Sequence, residues 1–296
     1  MRIVFIFIDG LGIGKRDKRY NPCTASFIKY FNSFNDKDRT APVPFNGIAT
    51  GVDANLGVKG LPQSATGQTA LLTGINASKA LGRHLNGFPN QKLRDILADH
   101  SVLKQLTLKG YKATFINAFR PPFFDYNPFD IIRHLSVTSV ANLYAKLPFF
   151  NLDDLRARNC IYQEFTNEHL QKKGFDVPIF SPEEAGTILA HQSKKFDFCL
   201  YEYFQTDRAG HSQDMNWATE ELRKLELFLD ALLTLLDLSE TLVIVVSDHG
   251  NIEDLSFKGH TTNPAMTILW GPQTKTYVQK LHSITDLTPL VTSILA

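Results

Sequence analysis

Acids and imidazoles recur at the ends of the strand-like runs of this chain. Ile3 to Ile8 runs into Asp9, Phe198 to Tyr203 into Asp207 and His211, and Leu242 to Val246 into Asp248 and His249. His260 lies in "FKGHTTNPAM", just before the run Met266 to Leu269. In open α/β sheets ligands bind beyond the carboxyl ends of the strands, so this shared location points to chemistry. The i,i+4 spacing of Asp207 and His211 places them on one face of any helix that begins there. Imidazole with carboxylate suits zinc, manganese or iron. Six such ligands are too many for one catalytically open ion, and two ions are the more natural partition. Paired cations clamp the attacking and leaving oxygens of phosphoryl transfer.

That chemistry also needs a nucleophile. "GLPQSATGQTALLTG" offers Ser64 and Thr66 where a helix of small residues begins. A helix N-terminus favours an anion, and a neighbouring cation would favour an alkoxide. Either hydroxyl could instead cap that helix. Arg83, His84 and Arg120 are candidates for holding non-bridging phosphate oxygens, guanidinium being suited to bidentate contacts.

The elements that must position these groups read as an α/β fold. The apolar, β-branched runs Ile3–Ile8, Ala113–Ile116, Phe198–Tyr203, Leu242–Val246 and Met266–Leu269 predict buried strands. Helical patterns lie between several of them. One is marked by Leu93, Ile96, Leu97, Leu103, Leu106 and Leu108, and another is the Leu-rich stretch Trp217 to Leu236. "SPEEAGTILAHQ" opens with Ser181 as N-cap, Pro182 in the first turn and Glu184 three residues on. "DLTPLVTSIL" predicts a short closing helix. The alternation implies a mostly parallel central sheet flanked by helices. Between 120 and 180 prolines and aromatics crowd together, as in "RPPFFDYNPFD" and "LPFFNLDDL". This segment is expected to be a small inserted cap on a core formed by 1–119 and 181–296.

Composition narrows the classes. The 296 residues are 43% hydrophobic and 21% charged, with a net charge of +1, which describes a globular chain without a basic field for nucleic acid or membrane surfaces. The cluster "GKRDKR" reads as a solvated loop. Cys23, Cys160 and Cys199 are odd in number and far apart, so neither a disulfide framework nor a CxxC metal site is expected. The first apolar run is shorter than a signal-peptide core, and no stretch approaches a membrane span. A cytoplasmic location is the expectation. "GLGIGKR" is no P-loop, because Asp9 stands at the first Gly position and Arg16 follows Lys15. No G-x-S-x-G elbow supports a serine acyl hydrolase.

The ordered set "IDG", "SATGQ", "TDRAGH", "SDHGN" and "GHTTNP" resembles the alkaline phosphatase superfamily. It is most similar to the phosphomutase branch, cofactor-independent phosphoglycerate mutase and phosphopentomutase. The resemblance implies two divalent cations, Mn2+ or Zn2+ with Mg2+ also possible. Asp9, Ser64, Asp248 and His249 would hold one, and Asp207, His211 and His260 the other. It also implies Ser64 as nucleophile, at the first position of the family's Ser/Thr-x-x-Gly-His pattern. Gln68 departs from that pattern, where the mutases carry His. The implied reaction is phosphoryl transfer through a phosphoserine, on a small phosphorylated substrate. Hydrolysis of a phosphomonoester ranks above mutase activity because the short cap lacks a multi-arginine clamp. A phosphodiesterase stays open. A sulfatase is disfavoured because "SATGQ" lacks the Ser/Cys-x-Pro-x-Arg pattern.

Overall fold

The computed structural model describes residues 1–35 and 39–296. Strand β1 (Arg2–Ile8) shows why the first apolar run is continuous. Its alternate side chains enter two different cores: Val4, Ile6 and Ile8 pack in one cluster, and Ile3, Phe5 and Phe7 in the other. A strand covered on both faces has no solvent side, so its pattern is apolar throughout.

Six further strands complete one sheet: β2 (Thr40–Val43), β3 (Gly47–Val52), β4 (Ala113–Phe115), β5 (Phe198–Tyr203), β6 (Thr241–Val246) and β7 (Ala265–Trp270). Their spatial order is β2-β3-β7-β6-β1-β5-β4. The unit β6-β1-β5-β4 is parallel throughout, whereas β7, β3 and β2 join by antiparallel pairings. The expected parallel core is therefore present, extended by an antiparallel wing. No alternating pattern announced β2 and β3, because Pro42, Gly47 and Gly51 interrupt it. Those glycines make room: a Cβ at Gly47 would lie 2.2 Å from Trp270 Nε1, which donates instead to the Pro44 carbonyl at 2.8 Å.

Helices cover both faces. Pro182–Ser193 and Met215–Leu235 lie on one, and Ser64–Thr73, Gln91–His100, Val102–Leu108 and Leu287–Ile294 on the other. Ser181 and Glu184 form the expected reciprocal cap. The stretch from Leu93 to Leu108 is two helices rather than one. Ser101 adopts an extended conformation between them and caps the second by accepting from Lys104 N. Residues 120–180 contribute to both layers: Val137 and Val140 pack with Leu97, while Leu152, Phe165 and Phe180 join the opposite cluster. Among the described residues no helix is long and apolar enough to cross a membrane.

The mixed topology matters for function because it turns several loops to one edge. β5, β1 and β6 end there. β7 is antiparallel to β6, so the loop before it, carrying His260, begins at that same edge. β3 runs antiparallel to β7 and so ends there too, delivering the chain toward Ser64. Filling the Gly47 gap tests the wing. Gly47→Ala should cost about 1–3 kcal/mol through overpacking against Trp270, read as a lower urea midpoint with an unchanged slope.

Candidate metal centre

Two groups of three potential ligands form at this edge. Asp9, Asp248 and His249 bring their ligand atoms within 4.8 Å of one another, and so do Asp207, His211 and His260. In the first group His249 Nε2 lies 3.3 Å from Asp9 Oδ1 and 3.5 Å from Asp248 Oδ2. In the second, Asp207 Oδ2 is 3.3 Å from His211 Nε2, and Asp207 Oδ1 is 3.5 Å from His260 Nε2. The groups adjoin, since the His249 and His260 rings stack with centroids 3.8 Å apart. Asp207 and His211 sit on the helix Gln205–Ser212, on one face as their spacing demands.

The outward nitrogens of two histidines meet backbone carbonyls. His260 Nδ1 lies 2.7 Å from the Pro62 carbonyl, and His249 Nδ1 lies 3.4 Å from the Gly250 carbonyl. A carbonyl only accepts, so these contacts favour the tautomer with the proton on Nδ1 and the Nε2 lone pair turned inward. Such second partners orient metal-binding imidazoles. The carboxylates fit the same role. Asp9 Oδ1 and Asp248 Oδ2 are buried without any hydrogen-bond partner, an arrangement a cation would satisfy. Oxygen and imidazole donors without thiolate suit zinc, manganese or magnesium, and the three cysteines are buried and free elsewhere.

The electrostatics are those of crowded acids. Burial, then the charges of Asp248 and Asp207, hold the Asp9 carboxyl well above its ordinary range. Burial, followed by the Asp207 charge, pushes Asp248 up to about 8. Burial opposes ionisation of Asp207 too, but hydrogen bonds from His211 and Asn251 and the neighbouring imidazoles keep it below the ordinary range. Burial depresses His249 to about 3 and lowers His260, while the hydrogen bond to Asp207 raises His211. A bound cation reverses the burden on the acids by favouring their charged forms.

Ser64 begins the helix Ser64–Thr73, and its Oγ lies 3.1 Å from His249 Nε2. It makes no capping bond, that place being held by Gln63. Thr66 Oγ1 is otherwise engaged, donating to the Gln63 carbonyl and accepting from Leu85 N. Gly67 lets this helix close on the acids: a Cβ there would lie 2.9 Å from the Asp248 carbonyl oxygen. Gln68 Nε2 donates to Asp9 Oδ2 at 3.2 Å, so the departure from the mutase pattern falls on a residue that steadies a carboxylate. The other candidates stand apart from these contacts. His84 is occupied by Ser78 Oγ and the Val58 carbonyl, and Arg83 and Arg120 are exposed.

Two groups went unnoticed in the sequence. Glu253, 1% exposed, accepts from Gly12 N and Asn251 N through Oε2 and from Thr261 Oγ1 and Asn263 Nδ2 through Oε1. It thus ties the loop after β1 to both ends of the loop between β6 and β7. Asn251 Nδ2 donates to Asp207 Oδ1 at 2.6 Å. Both lie in "DHGNIED", which held the only clue.

Residues 181–295 match the model of a family described as "Metalloenzyme superfamily". No curated relative matches the chain. Among solved structures it is similar to the PH0037 protein of Pyrococcus horikoshii, at 11% identity and a TM-score of 0.58, covering 99% of this chain and 97% of that one. It is similar to alkaline phosphatase from the Antarctic bacterium TAB5, at 14% identity, a TM-score of 0.56 and the same coverage. A cold-active alkaline phosphatase from Shewanella sp. covers 100% of both chains at 12% identity and a TM-score of 0.57. At such identities these likenesses speak for the fold. The family match covers the segments that carry Asp207, His211, Asp248, His249 and His260, and the fold of the whole chain is alkaline phosphatase-like.

Proposed function

We propose that this protein is a phosphomonoester hydrolase acting through a phosphoserine on Ser64, with two divalent cations held by the two ligand groups. One observation carries the reading: the Ser64 hydroxyl stands at a helix N-terminus, 3.1 Å from His249 of the first group, with the second group stacked against it. Mn2+ or Zn2+, with Mg2+ possible, would lower the Ser64 hydroxyl pKa and neutralise charge on the attacking and leaving oxygens. Ser64 Oγ attacks phosphorus, the bond to the leaving alcohol breaks, and water then cleaves the phosphoserine to free phosphate and Ser64. The helix N-terminus favours the transferring anion, and Gln68 and Asn251 keep Asp9 and Asp207 in place. The substrate is a small phosphorylated molecule.

A serine acyl hydrolase would orient the imidazole differently. There the acid bonds Nδ1 and the serine faces Nε2. Here Nδ1 of His249 faces a backbone carbonyl, and both acids crowd the Nε2 side with Ser64. That arrangement supports shared coordination over proton relay.

Two experiments test this reading. Ser64→Ala should lose on the order of 10³-fold or more of kcat/KM on an aryl phosphomonoester, and chelation should abolish the wild-type rate. Acyl-ester cleavage indifferent to chelator would sink the reading. The second uses stability. A cation at a hundredfold excess over its Kd should stabilise the wild type by about 2.7 kcal/mol. Because the Asp248 pKa is raised in the fold to about 8, its contribution to metal-free stability is full below the unfolded carboxylate range. It is lost as pH climbs through about 8. Chelated wild type should therefore melt lower at pH 9 than at pH 5. Asp248→Asn should flatten that fall and weaken the response to Mn2+ or Zn2+. A wild-type melting point indifferent to both cations would remove the metals from the account.

A further inference from the structure

Beyond the ends of β4 and β5 lies a cavity of about 560 Å3, within the range of small-molecule sites. Phe88, Phe119, Phe123 and Tyr126 line it, and Glu202 stands among them. Phe119 and Phe123 pack partly buried against one core cluster, whereas Phe88 and Tyr126 are 53% and 60% exposed, so the aromatic wall opens to solvent on their side. Exposed aromatic patches of this kind mark binding surfaces.

Glu202 is the unexpected member of that wall. It is 6% exposed, near the end of β5, where apolar residues otherwise fill the strand. Thr138 Oγ1 donates to its Oε2 at 2.6 Å. Among the described residues no other hydrogen bond and no ion pair reaches the carboxylate. Asn117 secures only its backbone, accepting from Glu202 N and donating to Glu202 O. Burial raises its pKa to about 7, against the Thr138 hydrogen bond. A buried acid with one donor, lining a cavity, lacks a partner that a ligand can supply.

The cavity also abuts the proposed centre. Glu202 pairs with Phe7 across the sheet, and strand alternation sends Glu202, Phe7 and Asp9 to the same face. The charge of Glu202 is among those that raise Asp9. Phe204 lines the cavity one residue before the helix that bears Asp207. The loop carrying Phe88 is tied to the first turn of the Ser64 helix, Leu85 exchanging hydrogen bonds with Thr66 N and Thr66 Oγ1.

We propose that this cavity receives the leaving group of the phosphomonoester and selects an aromatic alcohol that presents an N–H donor to Glu202. The inference rests on the Ser64 reading given above. Ring walls favour a flat apolar body over a sugar.

Matched probes separate these demands: 4-(aminomethyl)benzyl phosphate, 4-methylbenzyl phosphate and ethyl phosphate. The wild type should prefer the amine over its methyl analogue by about tenfold or more in kcat/KM, the size expected of a hydrogen bond to a charged group. Glu202→Gln should bring that ratio to within about threefold, and Phe123→Ala should reduce the preference for both aryl esters over ethyl phosphate. Binding of 4-(aminomethyl)benzyl alcohol to chelated protein, followed by calorimetry, should be measurable and should weaken at least about tenfold in Glu202→Gln. An amine preference absent in the wild type, or undiminished in Glu202→Gln, overturns the proposal. Should that variant fail to fold, an unaltered aryl preference in Phe123→Ala overturns it instead. Glu202-dependent binding of the alcohol without turnover of any ester supports the cavity and overturns the Ser64 reading alone.

Discussion

Three acids share one buried edge of the sheet, and their mutual repulsion is the constraint around which the rest is arranged. Two unit charges about 4 Å apart repel by roughly 4 kcal/mol at an effective dielectric near 20. Asp9 and Asp248 are nearly or fully buried, and each keeps an oxygen with no donor. Protonation relieves such a site, as the raised pKa values of both residues express. Cations relieve it without protons, and the inward lone pairs of His249 and His260 favour that solution. A chain selected for stability alone has no reason to gather these groups, because apolar residues of similar volume would fold at lower cost.

Holding such a cluster requires a scaffold that cannot retreat from it. Three adjacent parallel strands, β6, β1 and β5, supply Asp9, Asp207, His211, Asp248 and His249 from their ends, and the antiparallel wing returns His260 and Ser64 to the same place. Glycine allows the close approaches. A Cβ at Gly10, whose φ is +70°, would lie 2.8 Å from Asp207 Oδ1, and one at Gly67 would press on the Asp248 backbone. Glu253 then locks the loops with four hydrogen bonds, two of them from backbone amides. A buried acid thereby becomes a structural node, distinct from the acids left unsatisfied beside it.

What could be read from the chain followed its strongest periodicities. β1, β5, β6 and β7 are largely apolar runs, and the candidate ligands sit just beyond or before them, so both parallel core and cluster were legible. β2 and β3 were not, because their fitness for a sheet depends on Trp270 filling the space over Gly47, a contact 223 positions away in sequence. Ser101 divides two helices by a local cap that competes with a continuous leucine pattern. Local sequence alone left Ser64 and Thr66 equal, since both suit a helix start; the family resemblance favoured Ser64, and only tertiary contacts engage Thr66 with Leu85. Glu202 was hidden most completely. Inside "FCLYEY" an acid looks like a solvent-facing strand residue, and its burial depends on β4 and on Thr138.

The separation between centre and cavity bears on how such a fold changes substrate. The ligand groups draw on β1, β5, β6 and the loop before β7, whereas the cavity draws on β4, residues 117–139 and the loop around Phe88. They meet at β5 and at the exchange of hydrogen bonds between Leu85 and Thr66. Substitution of Phe88, Phe123 or Tyr126 can therefore reshape the cavity without disturbing any of the bonds that orient Asp9, Asp207 or His260. Fold and chemistry are in general separable in this way, with activity residing in sites grafted on a common frame. Glu202 is the exception, because its backbone belongs to the rigid strand and its carboxylate to the cavity. Its position thus links specificity to the one part of the sheet that cannot drift.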